Sequence, residues 1–261
     1  MFTRFGDSVV VAIDHGLHWG VFEGFENPEE TLELVLESGP DGILASVPFL
    51  RRFEETINDY DVATIATLDL LHDSTLPGDH EDQEIHRQVF SVDAAAELGA
   101  DAMKVALVYG REDVGVLEEN VQFVADAAER GEELGIPLVV EPTLWGQRAD
   151  DELDPSYLAD ANRIAFELGA HILKSPYPGE GAFDPIVENA PLPVYIAGGP
   201  PVETDVEVLE MVRGAVDAGS RGVMFGRNVW QRDDPSAIID ALKAIVHDDA
   251  TVDDAATHLT E

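Results

Sequence analysis

Short apolar runs rich in β-branched residues recur along the chain, and most are followed by a polar loop and then a segment with helical periodicity. Such runs are typical of buried β-strands, and their alternation with helices indicates βα units in a parallel sheet. Eight runs are present, at residues 9–16, 42–48, 63–69, 102–109, 137–144, 171–177, 194–199 and 222–228.

The pattern also predicts helices between the strands, at residues 27–39, 91–99, 113–135, 155–169, 204–219 and 235–247. Several of them begin at Asn, Ser, Asp, Thr or Pro and end at Gly, as helix termini prefer. Eight βα units close a barrel, so we expect an α/β protein with a (β/α)8 TIM barrel. A doubly wound open sheet is the alternative, but residues 14–20 (DHGLHWG) do not form its Gly-rich phosphate loop.

Chain length and composition agree with one barrel domain over residues 1–261, since such barrels have typically ~250 residues. The chain has no run of ~18 apolar residues, and its first residues lack the features of a signal peptide. We therefore expect a cytoplasmic protein that does not contact membranes. Cysteine is absent, which excludes disulfides, thiolate catalysis and cysteine-ligated metals.

The chain is strongly acidic, with 53 Asp and Glu against 15 Lys and Arg and a formal charge of -38. Phosphate backbones would be repelled, so nucleic-acid binding is excluded. The acidic residues are spread over every segment, which is typical of a solvated surface rather than a binding arm. A surface of this kind suits concentrated salt, where charge repulsion is screened, and indicates a halophilic source.

Lysine is scarce, and the three lysines stand out against twelve arginines. Lys243 lies on a predicted amphipathic helix, where a solvated side chain is expected. Lys104 and Lys174 lie inside predicted strands, where a buried ammonium needs a carboxylate partner or a lowered pKa. Arginine would suffice for a structural ion pair but cannot form a Schiff base, so these two lysines are candidates for covalent chemistry.

In barrel enzymes the active site lies at the carboxyl ends of the strands. Charged residues occupy this place in five strands: Asp14, Lys104, Glu141, Lys174 and Arg227. Lys104, Glu141 and Lys174 belong to the fourth, fifth and sixth strands and should lie side by side. A lysine there can attack a carbonyl, and a carboxylate can transfer protons. The alternative is an ion-pair network that only ties the strands together.

Glycines follow the last two predicted strands and indicate a phosphate site. Gly198 and Gly199 come after the seventh strand, and Gly226 and Arg227 after the eighth. Glycine lets backbone N–H groups approach an anion, and these two loops are the recurrent phosphate site of the fold. Arg227 would add a charge-assisted hydrogen bond. Alternatively, the glycines form tight turns and Arg227 pairs with a carboxylate.

Five segments together resemble the class I aldolases of the archaeal fructose-bisphosphate aldolase group, with the related tagatose-bisphosphate and sulfofructose-phosphate aldolases. They are AIDHG (12–16), SVDAAAELGADAMKV (91–105), GAHILKSPYPG (169–179), IAGGP (196–200) and GRNVWQR (226–232). The resemblance implies cleavage or formation of a phosphorylated ketose similar to fructose 1,6-bisphosphate, yielding dihydroxyacetone phosphate and an aldehyde. It implies Lys174 as the Schiff-base lysine, Asp14 as an active-site carboxylate, no metal or cofactor, and a homo-oligomer.

One segment departs from the archaeal fructose-bisphosphate aldolases. They carry a proton-transferring tyrosine in a Tyr-Pro-Arg-Gly segment after the fifth strand, where this chain reads EPTLWG at 141–146. The tagatose-bisphosphate and sulfosugar aldolases are more similar here, with a lysine on the fourth strand and a glutamate on the fifth. This likeness assigns the acid–base role to Glu141, assisted by Lys104.

Three other functions remain open. One is a transaldolase-like synthase of the aminodideoxyheptulosonate type, and another is a barrel that binds sugar phosphates without catalysis. The third is a metal-dependent lyase using residues in and around the predicted loop 70–86, although no compact zinc spacing is present. Its candidate ligands are His15, His18, His72, His80, Glu81 and His86.

Overall fold

The computed structural model describes residues 6–21, 23–72 and 85–259, and these residues form ten strands. The strands are β1 (Ser8–Ala12), β2 (Gly42–Ser46), β3 (Ala63–Thr67), β4 (Asp69–His72), β5 (Ile85–Gln88), β6 (Ala102–Val108), β7 (Leu138–Thr143), β8 (Ile172–Ser175), β9 (Val194–Ala197) and β10 (Gly222–Phe225). Eight of them close a parallel barrel in the order β1-β10-β9-β8-β7-β6-β3-β2. The predicted (β/α)8 barrel is therefore confirmed, and each predicted run contains one barrel strand.

Helices follow the barrel strands in the described part of the chain. They are α1 (His15–Trp19), α2 (Pro28–Glu37), α3 (Val47–Arg52), α4 (Glu54–Asn58), α5 (Val92–Glu97), α6 (Val114–Leu134), α7 (Pro155–Glu167), α8 (Asp184–Asn189), α9 (Asp205–Asp217), α10 (Arg227–Trp230), α11 (Pro235–Asp248) and α12 (Val252–Ala256). All six predicted helices are present. The helices that the sequence did not predict have six residues or fewer, too few for a periodic pattern. Among the described residues, no helix has the length and apolar character needed to cross a membrane.

All eight predicted runs continue past the ends of their strands, and the first and the last do so by the most residues. β1 ends at Ala12, and Asp14 is already the N-cap of α1. β10 ends at Phe225, and Gly226 leaves the extended conformation with φ -113° and ψ -94°, so that Arg227 begins α10 instead of continuing the strand. Both candidate residues consequently sit at the first turn of a short helix above the barrel.

The segment predicted as a loop over residues 70–86 begins and ends in β-strands, β4 and β5. β4 and β5 pair as an antiparallel ribbon, with Asp69 opposite Gln88 and His72 opposite Ile85. The loop prediction was therefore wrong for these ends. The candidate ligands His80 and Glu81 lie between them, outside the described residues.

The interior of the barrel is apolar in its lower part, and its layer nearer the carboxyl ends of the strands is charged. Alternate strand residues point inward, and one buried cluster gathers such residues from the strands: Val10, Ala12, Leu44, Ala63, Ile65, Ala102, Val139, Ile172, Tyr195 and Met224. Lys104, Glu141 and Lys174 each come two residues after a member of this cluster on β6, β7 and β8. The strand periodicity therefore places all three side chains in the next layer, toward the carboxyl ends.

Strand β3 is shorter than its neighbour β6, and side chains replace the missing strand. The two strands pair only as far as Thr67 and Lys104. Beyond that point Leu68 donates to the carbonyl of Lys104 at 2.9 Å. The Ala106 amide donates to Asp69 Oδ2 at 2.7 Å. The carboxylate of Asp69 thus satisfies a backbone group that an adjacent strand would otherwise bind.

Asn120 of α6 completes the same edge, and its loss should destabilise the barrel. This buried amide accepts from Val108 N and donates to Ala106 O, both at 2.8 Å. We expect Asn120→Ala to lower the free energy of unfolding by about 2–4 kcal/mol, because two buried backbone groups lose their partners. Urea unfolding followed by circular dichroism measures this loss.

The matched control is Asn189→Ala, which removes an exposed amide that donates to Pro185 O. Its cost should stay within about 0.5 kcal/mol. Equal losses in the two variants would contradict the role assigned to Asn120.

Candidate active site

A cavity of about 600 Å³ opens at the carboxyl ends of the barrel strands. Every residue predicted as a site residue lines it: Asp14, Lys104, Glu141, Lys174, Gly198, Gly199, Gly226 and Arg227. The strand order explains why these residues lie together. β6, β7 and β8 are neighbours in the barrel, and β9, β10 and β1 follow β8 in that order.

Glu141 lies between the two strand lysines. Its Oε2 is 2.8 Å from Lys104 Nζ, and its Oε1 is 2.9 Å from Lys174 Nζ. The β7–β8 register, which pairs Val140 with Leu173, sets Glu141 beside Lys174. On the other side, Glu141 is opposite Ala106, two residues beyond Lys104. Lys104 therefore reaches the carboxylate from deeper in the barrel, whereas Lys174 lies nearer the cavity.

Charge balance keeps Glu141 and Lys104 ionised despite their burial. Burial lowers the pKa of Lys104, but the nearby carboxylates of Glu141, Asp69 and Asp14 outweigh it and raise the pKa overall. Burial likewise raises the pKa of Glu141, and the charges of Lys104 and Lys174 bring it below its usual value. Because Lys104 remains an ammonium, Glu141 keeps a cationic partner even when Lys174 gives up its proton.

The Asp14 side chain lines the cavity and does not cap the backbone of the helix that it begins. As N-cap of α1 it makes no side-chain hydrogen bond to the helix. Instead its Oδ2 accepts from Thr67 Oγ1 at 2.8 Å and lies 3.4 Å from His18 Nε2. His18 Nδ1 accepts from Leu71 N, which places the proton of a neutral ring on Nε2. His18 therefore orients Asp14, a role that the sequence did not suggest.

Positive neighbours hold Asp14 in its ionised form. Burial raises the pKa of Asp14, but the hydrogen bond from His18 and the charges of Lys104 and Lys174 take it well below the usual range. The adjacent His15 behaves differently: burial lowers its pKa to about 4, so the ring is neutral at neutral pH. Asp14 is thus a fixed anion beside the two lysines.

A second buried pair lies behind Lys104. Asp69 Oδ2 is 2.8 Å from His86 Nε2 across the β4–β5 ribbon, and both side chains are buried. Burial raises the pKa of Asp69, while Lys104 and His86 lower it to a net value below the usual one. Asp69 was not among the residues predicted from the sequence, although it comes directly after an apolar strand, as Asp14 does.

The loops after β9 and β10 are tied together by two side chains of α10. Arg227 donates to Gly199 O at 3.1 Å. Asn228 donates to Gly198 O at 2.7 Å and accepts from Val202 N at 3.0 Å. Among the described residues, Arg227 Nε is buried without a hydrogen-bond partner. The guanidinium, whose pKa burial lowers, therefore has a donor left for an anion in the cavity.

The three glycines of these loops are needed for different reasons. Gly199 has φ +61°, a left-handed conformation that side chains disfavour. A Cβ on Gly226 would lie 2.2 Å from His15 Cε1, and one on Gly198 would lie 3.1 Å from the ring of Phe225. The sequence predicted all three for phosphate binding, and the structure adds that two of them allow rings to approach closely.

The metal-ligand hypothesis gains no support from the described residues. Within them, no three His, Asp or Glu side chains gather in a way that could hold a metal ion. His86 pairs with Asp69, and His18 orients Asp14.

Comparison with known proteins agrees with this geometry. The model of the DeoC/LacD family aldolases matches residues 8–232. A class 1 fructose-bisphosphate aldolase of Halobacterium salinarum is 34% identical over 260 residues, which cover 97% of this chain and 95% of that protein. A 2-amino-3,7-dideoxy-D-threo-hept-6-ulosonate synthase of the same organism is 32% identical over 93% of this chain and 87% of that protein.

A solved structure of an aldolase is also similar to this chain. It is an archaeal fructose-1,6-bisphosphate aldolase whose catalytic lysine is covalently bound to the carbinolamine intermediate of the substrate. It superposes with a TM-score of 0.80 and 30% identity, over 94% of this chain and 96% of that one. The chain belongs to the DeoC/LacD family of aldolases and is a class I, Schiff-base enzyme.

Proposed function

We propose that the protein cleaves and forms a phosphorylated ketose through a Schiff base on Lys174, with dihydroxyacetone phosphate as the ketone half. The observation that carries this assignment is the carboxylate of Glu141 shared between Lys174, which borders the cavity, and Lys104, which lies deeper. The names of the relatives, fructose-bisphosphate aldolases among them, support the substrate class.

The reaction begins when the neutral amine of Lys174 attacks the ketose carbonyl. Loss of water from the resulting carbinolamine gives an iminium. Glu141, 2.9 Å from Lys174 Nζ, accepts and returns the protons of these steps. Lys104 stays protonated and stabilises the carboxylate form of Glu141 throughout.

Cleavage uses the iminium as an electron sink. A base removes the proton of the C4 hydroxyl, the C3–C4 bond breaks, and its electrons move into the iminium to give an enamine while the aldehyde leaves. The enamine is then protonated at C3 and hydrolysed to dihydroxyacetone phosphate. Asp14, an anion on the cavity wall, binds substrate hydroxyls, and the Gly198–Gly199 and Gly226–Arg227 loops bind the phosphate.

A second candidate is a synthase of the aminodideoxyheptulosonate type, favoured by the Halobacterium salinarum relative of that name. It would use the same Schiff base and transfer the carbon unit to another aldehyde. The two functions share the roles of Lys174, Glu141 and Arg227.

Borohydride trapping tests the lysine assignment. Reduction in the presence of dihydroxyacetone phosphate should add the ketone carbon skeleton to Lys174, as located by peptide mass spectrometry. Lys174→Met should abolish the adduct. Lys104→Arg, which keeps the positive charge near Glu141, should still be labelled at residue 174. Labelling at Lys104 of the unaltered protein would overturn the assignment, and no labelling would favour a barrel that only binds sugar phosphates.

Glu141→Gln tests the proton-transfer role. We expect kcat to fall by about 10²–10⁴-fold, since an amide cannot exchange protons with the carbinolamine. Steady-state cleavage of fructose 1-phosphate and of fructose 1,6-bisphosphate, each coupled to dihydroxyacetone phosphate reduction, provides the measurement. The control Glu167→Gln removes an exposed carboxylate that pairs with Arg163 and should leave kcat unchanged. A fall of less than tenfold in Glu141→Gln would assign proton transfer to another group.

Arg227→Gln tests the phosphate site. Removal of a charge-assisted hydrogen bond should raise KM by about 10–100-fold and weaken competitive inhibition by inorganic phosphate to a similar extent. Arg221→Gln is the matched control, because Arg221 pairs with Asp7 and does not line the cavity. Unchanged phosphate inhibition in Arg227→Gln would place the phosphate elsewhere.

A further inference from the structure

We propose that the aldehyde half of the substrate carries no phosphate, so that the enzyme acts on ketose 1-phosphates, and that Asp151 and Glu152 disfavour a second phosphate. This inference rests on the proposed function, because it uses the Schiff base at Lys174 and the phosphate loops to orient the substrate. Asp151 and Glu152 line the part of the cavity that faces away from those loops.

The order of strands fixes the direction of the bound ketose. The phosphate loops follow β9 and β10, and Lys174 lies on the adjoining strand β8. With the C1 phosphate on these loops and C2 bonded to Lys174, the rest of the chain of carbons extends toward β7 and β6. The aldehyde half therefore faces the loop after β7 and the ribbon strand β4.

That side of the cavity has apolar and acidic walls. Leu71, Trp145 and Leu153 supply the apolar surface, and Asp151 and Glu152 supply two exposed carboxylates. The cations that line the cavity are Lys104, Lys174 and Arg227, and none of the other described lysines and arginines reaches it. A second phosphate would meet negative charge there and find no cation of its own.

One other source of anion binding on this side is already used. The N-terminus of α7 follows the β7 loop, but the Asp154 carboxylate accepts from its first amides, Ser156 N at 2.9 Å and Tyr157 N at 3.1 Å. Arg148 does not line this cavity but a neighbouring one of about 510 Å³, which shares Asp151 with it and also contains Asp150, Asp154 and Asp160.

A hydroxyl group, by contrast, finds a partner on this side. Thr143, the last residue of β7, lines the cavity. Its Oγ1 is buried and has no hydrogen-bond partner in the described part of the chain. A buried polar atom of this kind gains a hydrogen bond when a sugar hydroxyl reaches it. The cavity therefore suits an uncharged polyol at the aldehyde end.

Condensation assays with paired aldehydes test the inference. Consumption of dihydroxyacetone phosphate is measured with glyceraldehyde against glyceraldehyde 3-phosphate, and with erythrose against erythrose 4-phosphate, at one fixed salt concentration. We expect kcat/KM for the unphosphorylated aldehyde of at least one pair to exceed that of its phosphorylated partner by about tenfold or more. Two carboxylates near a phosphate account for this, at about fivefold each in a water-like dielectric.

The variant Asp151→Asn/Glu152→Gln supplies the second arm. It should raise the ratio of kcat/KM for the phosphorylated to the unphosphorylated aldehyde by about tenfold, and higher salt should shrink the difference from the unaltered protein. The control Asp150→Asn removes one carboxylate from the neighbouring cavity and should leave the ratio unchanged.

Three outcomes would overturn the inference. They are the absence of a preference of about tenfold for the unphosphorylated aldehyde in both pairs, a ratio that the double variant does not move, and no reaction with any of the four aldehydes. Borohydride labelling of Lys174 with dihydroxyacetone phosphate separates these outcomes from failure of the proposed function. If Lys174 is labelled, only the aldehyde specificity is wrong. If it is not labelled, the proposed function fails and this inference fails with it.

Discussion

The site depends on one carboxylate that holds two ammonium groups. Burial of two lysines in adjacent strands would be costly if either lacked a partner, and removal of one member of such a group leaves an uncompensated buried charge. Glu141 provides both contacts at 2.8 and 2.9 Å. The stagger between β6, β7 and β8 must therefore be kept, because a shift of one residue would turn a lysine or the glutamate out of the barrel. Lys104 remains charged beside Glu141, and Lys174 is the lysine proposed to form the Schiff base.

The rest of the described structure supports these three residues from two sides. Behind Lys104, Asp69 binds the free edge of β6 and the ring of His86, so the deep lysine has a second anion nearby. In front of it, His18 and Thr67 hold Asp14 as a fixed anion. The chain has an overall charge of -38 and few cationic side chains. Three of these cations nevertheless line one cavity.

The sequence predicted the barrel, and it selected residues that the structure brings to one cavity, for clear physical reasons. Each barrel strand is a run of β-branched residues, and a scarce lysine inside such a run is conspicuous. The short helices were missed because four to six residues are too few to show a helical period, even where a cap such as Ser46 or Gly226 precedes them. Asp69 and His86 were missed as a pair because they meet only through the β4–β5 ribbon, 17 residues apart in sequence. Contacts of this kind come from tertiary structure, which no local pattern records.

The seam between the first and last strands has a consequence for how the enzyme is made. β1 pairs with β10, Trp230 Nε1 donates to Ala12 O at 3.0 Å, and the ring of His15 fills the space above Gly226. A growing chain that has been synthesised only through β8 already contains Glu141 and both strand lysines, yet the loops proposed to bind phosphate are still missing. The residues proposed for covalent chemistry and the loops proposed for phosphate binding are therefore synthesised at different moments, and the second group arrives with the strands that close the barrel.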